Sequence, residues 1–69
     1  MWQANKNKMI NEIVDILLEN KILGFLVDEV AYSLYYMNPY KVKNVYEQLD
    51  NLINSLREIQ NNYITSVRI

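Results

Sequence analysis

Gly24 and Pro39 are the only glycine and the only proline among 69 residues. With so few strong breakers, little stops this chain from forming helix, and the punctuation that exists sets where helices begin and end. The pairs Asn38-Pro39 and Asn61-Asn62 complete that punctuation and cut the chain into four pieces.

In the first piece Ile10, Ile13, Val14 and Leu17 recur at helical spacing, with Asn11, Glu12, Asp15 and Glu19 on the other side. Gly24 suits the left-handed position just past a helix end, so this helix is expected to stop near Ile22, leaving residues 24–26 as an apolar connector. A second helix is expected from Val27 to about Tyr36. It would bury Val27, Val30, Ala31 and Leu34 and hold Asp28 and Glu29 in its first turn, where the helix dipole favours acids. Asn is among the best N-caps and Pro is favoured at the first helical position. Asn38-Pro39 therefore starts a third helix, with Val42, Val45, Leu49 and Leu52 facing inward.

Two readings stay open for the C-terminus. Leu56, Ile59 and Tyr63 continue the alternating spacings of three and four from Val42, a heptad pattern that supports an all-α fold with one long C-terminal helix. The tail is also rich in strand formers, with Tyr63, Ile64, Thr65, Val67 and Ile69, and Asn61-Asn62 suits a two-residue turn. The preferred reading is a mainly α fold with a small β-hairpin (α+β), pairing Ile59 with Ile64 and Leu56 with Val67. No glycine stands near Ser55 to end the third helix, which keeps the long-helix reading in play.

A chain of this length is one domain, and half of its residues are apolar, as in a globular protein and unlike a disordered tail. Without Cys or His it has no disulfide, no thiolate or imidazole metal site and no His- or Cys-based nucleophile. The expectation is a protein that is not an enzyme, uses no cofactor or metal and binds no small molecule. Its longest apolar run, Ile22 to Val27, is far short of the ~20 residues of a membrane span, and no apolar stretch follows the N-terminal lysines as in a signal peptide. The expected location is the cytoplasm, that of the host if the protein is viral. Net charge is −1 but uneven: residues 1–29 carry −2, whereas Val30 to Tyr46 holds Lys41 and Lys43 and no acid.

Helix, short apolar connector, helix, turn, capped helix, hairpin: this order resembles the winged helix-turn-helix family of small prokaryotic, plasmid and viral transcriptional regulators. The resemblance runs from about Met9 to Ile69. Val27 to Leu34 is similar to the family's second helix, with Ala31 as the small residue that admits the next one, and Val42 to Leu52 resembles the recognition helix. It implies a domain over residues 9–69 with its wing at about 56–69, preceded by an N-terminal segment, 1–8. It implies sequence-specific binding of double-stranded DNA as a small transcriptional regulator. The alternative is a winged-helix or all-helical dimeric module for protein contact, without DNA binding.

If the resemblance holds, the third helix enters the major groove with Tyr40, Lys43, Asn44, Glu47 and Asn51 outward and Lys41 and Gln48 on one flank. Asn44 and Gln48 can read adenine, Lys43 can reach guanine or phosphate, and Glu47 can accept from a cytosine amino group. Asn38, beside the helix start, would lie near a phosphate. Arg57 and Arg68, with Gln60, Asn61 and Asn62 at the wing tip, would touch backbone or minor groove. Tyr32, Tyr35, Tyr36, Tyr40 and Tyr46 are expected as half-buried packing more than as a base-stacking platform. Glu12, Asp15 and Glu19 are expected as a solvated face. Trp2 points to an interface. A homodimer built on the N-terminal segment and first helix is the expected assembly, as two-site DNA readers require.

Overall fold

A computed structural model describes the backbone of residues 2–68 and the side chains of residues 5–66. Four helices follow one another: α1 (Trp2–Glu19), α2 (Gly24–Tyr36), α3 (Pro39–Glu47) and α4 (Leu49–Arg68). No strand occurs among the described residues. The described fold is therefore all-α, and the hairpin wing expected at about residues 56–69 is absent among the described residues.

Helix α1 starts well before the first apolar repeat and takes in residues 2–8. It ends with Lys21 in the left-handed region at φ 63°. Ile22 N–H donates to Leu17 C=O (3.1 Å) and Lys21 N–H to Leu18 C=O (3.0 Å), the paired bonds of a Schellman cap. Leu17 and Ile22, the two positions whose apolar contact commonly accompanies such a cap, are both buried in the core. Gly24, expected to play that part, instead opens α2, and its φ is not positive. Because α2 begins three residues earlier than its apolar pattern, Asp28 and Glu29 lie beyond the first turn.

The start of α3 is as read from Asn38-Pro39. Asn38 Oδ1 accepts from Lys41 N–H at 2.9 Å, with Pro39 at the first helical position. The helix then stops at Glu47, where Gln48 adopts φ −113°, ψ 33° and shares its N–H between Asn44 and Val45 C=O. Leu49 begins α4, so the single heptad helix is split in two at a residue with no breaker character.

Through the Asn61-Asn62 pair α4 runs on as helix. A two-residue hairpin turn of the I′ type needs positive φ at both central positions, and Lys21 is the one non-glycine residue with positive φ among those described. An isolated hairpin is marginal in water. As helix, Gln60 and Tyr63 reach the α1–α2 turn and Phe25, and Thr65 Oγ1 bonds back to Asn61 C=O at 2.8 Å. Those tertiary contacts outweigh the strand propensity of the tail.

The core is centred on α1. Ile10, Ile13 and Leu17 are almost wholly buried, and Leu34 of α2 and Val42 of α3 close over them. Lys6 Nζ donates to Tyr35 C=O at 2.6 Å, while Phe25 meets Tyr63, so α1 overhangs one end of α2 and α4 the other. The result is a rod of 48 × 18 × 18 Å.

Candidate functional site

Buried Val42, 0% exposed, pins α3 against α1, and half-buried Val45 and Tyr46 flank it. The Tyr46 hydroxyl donates to the Glu12 carboxylate of α1; that bond, then the negative charge of Glu12, then burial raise the phenol above its ordinary value near 10. With successive residues turned by about 100°, the face opposite Val42 presents Tyr40, Lys43, Asn44 and Glu47, all exposed. Lys41 and Gln48 are exposed on the flank. These six side chains form one continuous polar surface, as the periodicity of the sequence required. Asn38 differs in use: its side-chain oxygen is committed to capping α3, which leaves only the amide nitrogen for a ligand.

The second half of the expected contact set does not join that surface. Arg57 Nη2 donates to Asn20 Oδ1 at 3.0 Å. Gln60 accepts from Leu23 N–H (2.8 Å) through Oε1 and donates to Lys21 C=O (3.2 Å) through Nε2. Both side chains stitch α4 to the α1–α2 turn instead of projecting from a wing tip. Asn61 and Asn62 are exposed on α4, 13 and 14 residues beyond Gln48, or about 20 Å at helical rise. The side chains of Arg68 and Trp2 lie outside the described residues.

Periodicity alone missed two features. An apolar groove of about 330 Å³ runs between α2 and α4, lined by Leu26, Val30, Leu34, Met37, Val45, Leu52, Leu56 and Ile59, with Glu29 and Ser33 at its polar edge. Its apolar row continues past the end of the core into Ile59 and Tyr63, 52% and 49% exposed. The heptad spacing at Ile59 and Tyr63 was the available signal, misassigned to a strand. The tyrosines are the other feature. Tyr46 is half-buried as expected, but Tyr32, Tyr35, Tyr36 and Tyr40 are exposed. Tyr32 and Tyr36 pair ring to ring at 5.0 Å, and their hydroxyl contact raises the Tyr36 phenol above its ordinary value.

Among the described residues no group of three or more carboxylates could hold a metal ion. Asp15 and Glu19 are exposed, while Glu12 serves Tyr46. No described helix is long and apolar enough to cross a membrane. No protein-family model, no curated protein and no solved structure matches the chain.

Proposed function

We propose that this chain binds double-stranded DNA through α3 and acts as a small transcriptional regulator. One observation carries the reading: α3 is capped at Asn38 and pinned by Val42, while its opposite side exposes Lys43, Asn44 and Glu47 together. A helix held by one stripe with a polar stripe opposite is what major-groove reading needs. Lys43 bonds guanine O6 and N7, Asn44 pairs with adenine N6 and N7, and Glu47 accepts from a cytosine amino group, which turns its charge from a repulsion into a base preference. Lys41 and Gln48 flank these contacts. With no wing, phosphate neutralisation falls mainly to Lys41 and Lys43, so binding should weaken with salt at a logarithmic slope of only about −2 per bound chain.

Selection of preferred sites from random duplex DNA with the purified protein tests this. The expected result is enrichment of one short motif, bound with that shallow salt slope and lost in a Lys43→Ala/Asn44→Ala variant of unchanged helicity. No enrichment, or normal binding by the variant, sinks the assignment.

The apolar groove and the exposed rings of α2 favour a second reading, an all-helical dimeric module for protein contact without DNA. An empty selection combined with a stable complex in solution would favour it.

A further inference from the structure

We infer that a second copy of this chain fills the groove between α2 and α4, with α4 of each copy lying antiparallel to its twin. The assembly is then a four-helix arrangement of two α2 and two α4 helices around a twofold axis near Ile59. This goes beyond the DNA reading and does not depend on it.

The groove is apolar along Leu26, Val30, Leu34, Leu52, Leu56 and Ile59, and Glu29 is its one charged lining residue among those described. A strongly charged partner would find only Glu29 to match it among the described lining residues. The row that lines the groove also projects from it, because Ile59 and Tyr63 remain about half exposed at its end. Receiving and inserted surfaces are thus parts of one face, the condition for an isologous contact that closes on itself. Beside that row the exposed flank of α4 carries Asn51, Ser55, Glu58 and Asn62, one charge among four polar side chains. Asp50 and Arg57 lie on the far side of the helix, which leaves Glu58 as the acid on that flank.

The surface area points the same way. A compact monomer of 8.3 kDa exposes about 4,600 Å², whereas this chain exposes 5243 Å². The excess, about 650 Å², is close to the ~800 Å² that each partner buries in a standard interface. The radius of gyration, 12.8 Å, also exceeds the ~11 Å of a compact chain of this length. One copy exposes more surface than a compact globule of its size, and the groove and the row at Ile59 and Tyr63 are apolar parts of it.

The test is the mass in solution across a concentration series without DNA, for the wild type and Ile59→Lys, with helicity followed by circular dichroism. The wild type should be dimeric at tens of micromolar. Ile59→Lys, at a half-exposed position, should keep its helicity and weaken dimerisation about a hundredfold or more, since each dimer loses two such side chains. A monomeric wild type, or a variant that dimerises equally well, overturns the inference. Should Ile59→Lys lose helicity, single cysteines in this cysteine-free chain decide. Oxidation should link Ile59→Cys into dimers but not Asn54→Cys, and equal linking at both, or none at Ile59→Cys, overturns it.

Discussion

The two halves of α4 have the same apolar spacing and opposite fates. Ile53 and Leu56 are buried at 8% and 6% exposure, while Ile59, Tyr63 and Ile64 are exposed at 52%, 49% and 37%. A heptad row records what a helix could bury, and burial depends on what lies opposite. At about 30 Å, α4 outruns the roughly 20 Å of α2, so its distal half meets mainly the α1–α2 turn and the start of α2 at Phe25. The proximal half belongs to the core and the apolar side chains of the distal half stay exposed.

That contrast breaks if the two halves respond alike to truncation. Leu56→Ala should destabilise the monomer by about 2–4 kcal/mol in urea unfolding at low protein concentration, a large part of the stability of so small a domain. Ile64→Ala should cost under about 1 kcal/mol in the same titration. Equal costs would mean that the distal half is part of the core. Next in size, Gln60→Ala removes both bonds that hold the distal half to the turn, and should cost about 1–2 kcal/mol in the same measurement. Gly24→Ala carries the opposite sign. Its φ is not positive and an added Cβ meets nothing within 4 Å, so a gain of about 0.5 kcal/mol is expected in thermal unfolding. The smallest effect is confined to alkali. The Tyr46 phenol is raised in the folded state, so its contribution is complete below pH ~10 and fades as pH rises through the folded value. Tyr46→Phe should remove that part of the decline from a stability profile between pH 9 and 12.

Features governed by local chemistry were legible. Asn38-Pro39 marks the start of α3 because capping needs only the neighbouring backbone, and the polar face of α3 follows from helical period. The end of α1 was misread because a left-handed residue suggests glycine, yet Lys21 takes that position inside a cap secured by Leu17 and Ile22. The break at Gln48 has no local signature. It arises where the chain passes from packing on α1 to running beside α2. Strand formers in the tail favoured a wing, but propensity yields to tertiary contact, and Gln60 and Tyr63 find theirs as helix. Arg57 and Gln60 look like free polar ends in the sequence, since their partners lie 37 to 39 residues away.

The Gln60 clamp has a consequence for how the chain can vary. Its amide recognises the main chain of Lys21 and Leu23, not their side chains. As far as this clamp is concerned, the side chains at positions 21 and 23 are free to drift as long as the backbone trace survives, whereas position 60 must keep both a donor and an acceptor at one reach. Among sequences sharing this fold, constancy at position 60 beside variety at position 21 would be the mark of a joint keyed on one side only.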